Sequence, residues 1–221
     1  MRPVDPAESV HFDRLRDEMV DQQITARGVG SPLVLAAMRR VRRENYVPDH
    51  LRQSAYEDTP LPIEDRQTIS QPYIVALMVE ALGLRGGERV LEVGTGSGYA
   101  AAVLAEIAGE VYTIERHASL ARTAAVRLVG EGYESAHVRH GDGTLGWPDA
   151  APFDAIVVAA GAEEVPAALK EQLVSGGRLV IPVGPSVHSQ VLKRITRIDA
   201  DRFGEEDLTD VRFVPLISGE S

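Results

Sequence analysis

Two acids and a glycine turn carry the chemistry of the central stretch. From Val90 to Tyr99 an apolar run, broken by Glu92, enters a turn with Gly94, Gly96 and Gly98. An Ala-rich segment follows, then a second apolar run that stops on Glu115, about 20 residues past the first glycine. Strand, glycine turn, helix, strand and acid is the pattern of an α/β nucleotide or nucleoside site. A carboxylate at the end of that second strand can accept both hydroxyls of an unphosphorylated ribose.

The turn itself narrows the ligand. A dinucleotide fingerprint places a third Gly or Ala where Tyr99 stands, and a ring there opposes close helix–strand packing. No G-x-x-x-x-G-K-[ST] is present, so a P-loop is excluded. Glu92 would repel a pyrophosphate but suit a ligand with an ammonium and a sulfonium. Asp142, between Gly141 and Gly143 after a short strand pattern, could take an adenine amino group, although Gly-Asp-Gly alone is a turn. A nucleoside with a cationic tail and no phosphate points to S-adenosylmethionine over NAD. The candidate donor-binding residues in this unit are Glu92, Gly94, Thr95, Gly96, Ser97, Glu115, Arg116, Asp142 and Gly143.

The elements that must position these groups follow from periodicity. Residues 1–12 read as a loose arm. From Asp13 helical spacing begins, with Gly28 as its stop; Ser31-Pro32 then gives an N-cap and N1 pair before a stripe of Leu33, Ala37, Met38 and Val41. Arg39, Arg40, Arg42 and Arg43 read as a solvated helix face. Residues 45–71 are irregular, a connection long enough to suggest function or mobility. By spacing alone Ser70 is a helix N-cap near Pro72. Residues 153–160 form a continuous apolar run, as in a strand buried on both faces. Pro166 opens a helix through Leu173, and Pro182 marks the end or edge of the next strand. Later alternation around Val191, Ile195 and residues 211–217 reads as antiparallel, and Glu205-Glu206-Asp207 between them as a solvated turn. The fold class is therefore α/β: a Rossmann-like, doubly wound, mostly parallel sheet with an antiparallel C-terminal edge and an N-terminal helical extension. We expect a single domain, with residues 1–71 as an extension shaping the substrate site and 72–221 as the core.

Composition sets limits. The 221 residues carry a net charge of −10, which argues against a nucleic-acid binder. Without cysteine there is no disulfide or thiolate metal site. His137 and His140 would face opposite sides of a strand, so no metal is expected. The N-terminus lacks the apolar core of a secretory signal and no run of about 18 apolar residues occurs, so a cytoplasmic location is expected.

VLEVGTGSGY, the acid-ended VYTIER and FDAIVVAAGAEEVPAALKEQLVSGGRLVIPVG resemble the class I S-adenosylmethionine-dependent methyltransferases. Adding AYEDTPLPI, QTISQPY, HGDG and VRFVPL, the chain from about Met19 to Leu216 resembles the protein-L-isoaspartate O-methyltransferases. The resemblance implies methylation of the free α-carboxyl of L-isoaspartyl residues in aged proteins, with D-aspartate a poorer acceptor, and repair through a succinimide. It implies Gln67, Thr68 and Ile69 at the donor–acceptor junction and Ser70 as the active-site serine. It further implies Gly94, Thr95 and Gly96 at the methionine end, Glu115 on the ribose, Asp142 and Gly143 at the adenine, and Val214 on the substrate backbone. Glu64-Asp65-Arg66 replaces a Gly-rich IGxGQT, so a stiffer, more charged loop is expected before Gln67. Other readings from the residues are a small-molecule or RNA methyltransferase, a non-catalytic nucleoside-binding protein and a dinucleotide oxidoreductase. A monomer is expected.

Overall fold

The computed structural model describes residues 6–219. A seven-stranded sheet runs in the order β5-β4-β3-β6-β7-β8-β9. Its members are β3 (Arg89–Val93), β4 (Glu110–Glu115), β5 (Ala136–His140), β6 (Phe153–Val158), β7 (Leu173–Ser186), β8 (Ser189–Arg197) and β9 (Phe203–Val211). Pairing is parallel from β5 through β7 and antiparallel from β7 to β9. Helices α3 (Pro72–Leu82), α4 (Tyr99–Ala105), α5 (Ala118–Gly130) and α6 (Ala167–Glu171) alternate with the strands. Because side chains alternate along β3, Val90 joins one apolar cluster and Leu91 and Val93 the other. Both faces of the central strands are thus covered, and their sequences are correspondingly apolar.

The N-terminal unit is better ordered than its sequence indicated. Helix α1 (Pro6–Glu18) begins inside the presumed loose arm; Phe12, 1% exposed, packs beside Tyr56 with ring centroids 6.3 Å apart. What fell on residues 1–5 lies outside the described residues. A π turn (Met19–Ile24) and a 3-10 turn (Thr25–Arg27) continue the run to Gly28. Helix α2 (Pro32–Arg40) has Pro32 in its first turn, but the Ser31 side chain does not cap it. Glu80 Oε1 instead accepts the N–H groups of Gly30 and Ser31, both at 2.7 Å. Val34 takes the inward place predicted for Leu33, which is exposed.

Five further readings change. Arg43 is buried, because α2 ends before it and the chain turns inward; Arg39 and Arg40 do lie outside, paired with Asp17, Asp21 and Glu106. Leu173 starts β7, since Phe153 N–H bonds Gln172 O and draws the chain into the sheet directly after α6. Pro182 stands in an interior strand, two residues past the last one paired with β6, where its missing N–H costs no ladder bond. Glu205, Glu206 and Asp207 belong to edge strand β9 and pair with Lys193 and Arg194 of β8. Charge on an exposed edge discourages further strand pairing. Residues 212–217 lie beyond β9 and, instead of continuing antiparallel, meet the chain after β6 at an isolated parallel bridge, Gly161–Pro215.

Because Phe12 fills a closed site, Phe12→Ala should destabilise the protein by about 3 kcal/mol. Urea midpoints would check this; a loss below about 0.5 kcal/mol would mean that α1 is only loosely docked.

Candidate functional site

Strand order reverses beside β3: the chain continues to β4 and β5 on one side and to β6 and β7 on the other. Loops at such a switch point part at the carboxyl ends of the strands and leave a crevice. A cavity of about 400 Å³ lies there, walled by Val93–Ser97, Ile114–His117, Gly143, Ala159 and Ala160. Arg66–Ser70 and Val214–Ile217 close it from the other side.

The glycine turn is clipped to β4. Gly94 has φ 98° and Gly96 φ 52°, a backbone region that side chains with a Cβ resist. Gly94 N–H donates to Ile114 O at 2.8 Å, and Gly96 N–H to Glu115 Oε2 at 2.8 Å. The other carboxylate oxygen, Oε1, accepts from His117 N–H at 2.9 Å. Glu115 is buried, and each of its oxygens retains a lone pair for a ligand hydroxyl. Gly143 sits against Val93, where a Cβ would come within 2.3 Å of Val93 Cγ1.

Two of the acids stand differently from their sequence reading. Glu92 does not line the cavity. Paired between β4 and β6, it is 1% exposed and accepts from Thr113 Oγ1 at 2.5 Å. Thr113 Oγ1 lies 2.6 Å from Thr95 Oγ1, and Thr95 does face the cavity. Burial pushes the Glu92 carboxyl up to about 8, against the Thr113 bond and with the help of nearby Glu115. Burial favours its protonated form, and it supports the turn from beneath through Thr113 and Thr95. Asp142 also stands behind the wall formed by Gly143. Its Oδ1 accepts from Thr144 N–H and its Oδ2 from Gly219 N–H at 2.6 Å. Burial raises this carboxyl, but the bonds from Gly219 and Thr144 together with the charge of Arg116 hold it below the usual range. Arg116 Nε donates to Gly219 O at 3.3 Å, so the C-terminal segment reaches this end of the site.

On the opposite side, β1 (Leu61–Pro62) and β2 (Thr68–Ile69) form a small antiparallel hairpin. At its tip Asp65 and Arg66 hold φ 54° and 58°, left-handed conformations that cost residues with side chains. Ser119 Oγ donates to the Asp65 carboxylate, and Gln67 Nε2 lies 3.4 Å from His117 Nε2, fastening the tip to the start of α5. Ser70 is not an N-cap: Gln71 holds that place and no side chain caps α3. The Ser70 hydroxyl is thereby left for the cleft. A second groove, of about 720 Å³, shares Thr68, Ser70, Ala159 and Val214 with the first cavity. Val214 O accepts from Gly161 N–H at 2.8 Å, while Val214 N–H has no partner among the described residues. Its neighbour is fully used, since Gln190 accepts from Phe213 N–H at 2.7 Å and donates to Phe213 O at 3.2 Å.

The structure therefore gathers Gln67, Thr68, Ile69, Ser70, Gly94, Thr95, Gly96, Ser97, Glu115, Arg116, Gly143 and Val214 at one cleft. Sequence reading missed Arg66, His117, Leu216 and Ile217, which also line it. His117 follows Glu115 and Arg116 directly, so continuing past the acid would have found it. His137 pairs with Glu110 and His140 with Arg116 O, each on its own side of β5.

The family model described as protein-L-isoaspartate(D-aspartate) O-methyltransferase matches residues 14–221. The chain belongs to this family. It is 60% identical over 213 residues to protein-L-isoaspartate O-methyltransferase 1 of Rhodopseudomonas palustris (strain HaA2), covering 96% of this chain and 87% of the relative. A solved protein-L-isoaspartate O-methyltransferase superposes with a TM-score of 0.81 at 29% identity, covering 90% of this chain; the chain spans 65% of that longer protein. A Plasmodium falciparum structure, described as a beta-aspartate methyltransferase in complex with S-adenosyl-L-homocysteine, gives 0.78 at 26% identity, covering 93% of this chain and 98% of that one. As a protein-L-isoaspartate O-methyltransferase, the chain transfers a methyl group from S-adenosylmethionine to the free α-carboxyl of L-isoaspartyl residues. Cavity size and lining fit that donor: a largely apolar slot of ligand dimensions with a buried carboxylate.

Glu115→Ala should raise the donor Kd by about tenfold or more and leave peptide KM unchanged at saturating donor. Titration calorimetry would show it, and an unaltered Kd would remove Glu115 from the site. Glu92 holds its proton more tightly in the fold than in the unfolded chain, where an ordinary carboxyl titrates near 4.5. Its contribution to stability is complete below that value and is lost as pH rises to about 8. Glu92→Gln should abolish this loss, so the urea midpoint of the wild type should fall relative to the variant between pH 5 and 8. Parallel midpoints would mean that Glu92 is already ionised in the fold.

Proposed function

We propose that the two cavities are the donor and acceptor halves of one isoaspartyl methylation site, with Ser70 at their junction. The observation that carries this reading is the shared wall of Thr68, Ser70, Ala159 and Val214. An acceptor lying in the larger groove meets the donor cavity only there.

The residues divide the work. Glu115 takes the ribose hydroxyls, the Gly94–Gly96 turn with Ser97 takes the methionine end, and Gly143, backed by Asp142, marks the adenine end. Arg116 and Gln67 flank the donor. Glu92 acts beneath the turn through Thr113 and Thr95. Ser70 Oγ–H donates to the acceptor carboxylate and sets one oxygen for attack; Val214 N–H binds the peptide main chain. When bound, S-adenosylmethionine supplies an electrophilic methyl group on a sulfonium.

A free α-carboxyl ionises near 3.5 and is already a nucleophile at neutral pH, so the site needs no general base. His137 and His140 are engaged elsewhere, and His117, which does line the cavity, is not required as one. The reaction joins a cation and an anion, and water favours the separated charges over the transition state. Val93, Ile114, Ala159, Leu216 and Ile217 exclude water from the slot. The remaining contribution is alignment, which the pinned turn on one side and the Ser70 segment on the other provide.

We read the chain as one domain, residues 1–71 an extension that contributes to the substrate site and 72–221 the Rossmann-like core. Both cavities are built from a single copy, which supports action as a monomer. No helix among the described residues is long and apolar enough to cross a membrane, which is compatible with work in the cytoplasm on age-damaged proteins. The net charge of −10 speaks against nucleic acid as the acceptor. The following main-chain nitrogen of the substrate would then attack the ester carbonyl and expel methanol, giving a succinimide whose hydrolysis returns some normal aspartate.

The test is transfer of labelled methyl to paired peptides differing only in Asp or isoAsp. Label should enter the isoAsp peptide alone; equal label in both would demote the site to a general carboxyl methyltransferase. Ser70→Ala should lower turnover by about tenfold or more, as loss of a hydrogen bond to a charged group does, with donor Kd nearly unchanged. Donor affinity falling in step with turnover would show that Ser70 serves the fold of the cleft.

A further inference from the structure

Arg43 is the largest fully buried side chain, at 0% exposure, and it has no carboxylate partner among the described residues. Neighbouring Glu44 is turned elsewhere, to Tyr56 and Arg16. Arg43 Nε donates to Ala55 O at 2.7 Å and Nη2 to Ser70 O at 2.9 Å, while Nη1 is buried without a partner. The guanidinium lies over the Tyr99 ring, Cζ 4.7 Å from its centroid, and Tyr99 is the first residue of α4 after the glycine turn. Burial pushes Arg43 down only to about 10, so it stays charged at neutral pH.

Two carbonyls alone do not call for a buried cation, which is costly without a counter-ion. A neutral amide could satisfy them. What the guanidinium adds is a rigid planar fork that reaches both carbonyls and stacks on a ring at once. The Ser70 carbonyl belongs to the peptide plane joining Ser70 to Gln71, the N-cap residue of α3. Holding that oxygen therefore fixes the direction in which the Ser70 side chain leaves the backbone.

We infer that Arg43 is a positioning residue for methyl transfer: it holds the Ser70 main chain in register with the donor helix, so that the Ser70 hydroxyl meets the acceptor carboxylate. This rests on the assignment of Ser70 made above. Arg43 touches neither cavity, lies in no glycine or acid motif, and acts wholly through Ser70 and Tyr99.

The experiment is a double-mutant cycle. Arg43→Lys keeps the charge but cannot span both carbonyls; it should lower kcat about tenfold at saturating peptide and donor, with donor Kd within about twofold. In a Ser70→Ala background the same change should cost less than about twofold more, because the hydroxyl it aims is gone. An undiminished loss in that background would overturn the inference, as would a donor Kd that rises as far as kcat falls. Arg43→Met is the second variant; if it and Arg43→Lys both fail to fold, the residue serves the fold alone and the inference is overturned. Ser70→Ala with wild-type turnover would sink the Ser70 assignment and this inference with it. Wild-type-like Arg43→Lys beside an impaired Ser70→Ala would overturn only the role of Arg43.

Discussion

The carboxylate of Glu115 holds the cleft together. One oxygen takes the Gly96 N–H and the other the His117 N–H, so a single side chain closes the glycine turn of β3 onto the end of β4. Parallel pairing makes this possible, because only then do both strands deliver their carboxyl ends to the same rim. A polar group buried there must be bonded, and the two backbone donors supply that before any ligand arrives. The site is therefore organised in advance, and little reorganisation is left to oppose donor binding.

Much of this could be read from the chain because it depends on local pattern. Strand alternation, the glycines at 94, 96 and 98 and the acid at 115 each report a backbone requirement visible within a few residues. Glu92 shows where such reading stops. Its spacing suggested a charge for the ligand, but its place between two strands buries it and disfavours that charge. It thus loses its part in arguing against a dinucleotide, and Tyr99 with the absent phosphate motif carries that point. Tyr99 itself turns its ring toward Tyr46 and Met38 of the N-terminal unit, a contact no sequence spacing announces.

The N-terminal unit was the least legible part for the same reason. Arg39, Arg40, Arg42 and Arg43 look alike in sequence, yet one is a core residue and two make surface ion pairs. Only the end of α2 decides between them, and long-range packing sets it. Ser70 was misread as a cap because the residue before Pro72, Gln71, takes that position through its backbone alone. The acidic 205–207 segment was misread as a turn because edge strands tolerate charge that interior strands do not.

If the Val214 amide, beside a Phe213 whose polar groups Gln190 has already claimed, binds the peptide main chain as proposed, it limits which polypeptides this enzyme can serve. An amide in a groove wall recognises main-chain carbonyls, and a carbonyl locked in a helix or sheet has none of its bonding to spare. Damage within a rigid element would stay out of reach until that element frays. The enzyme would therefore inspect proteins by their local unfolding, so that where an isoaspartate sits in the stability landscape of its host governs how soon it is found.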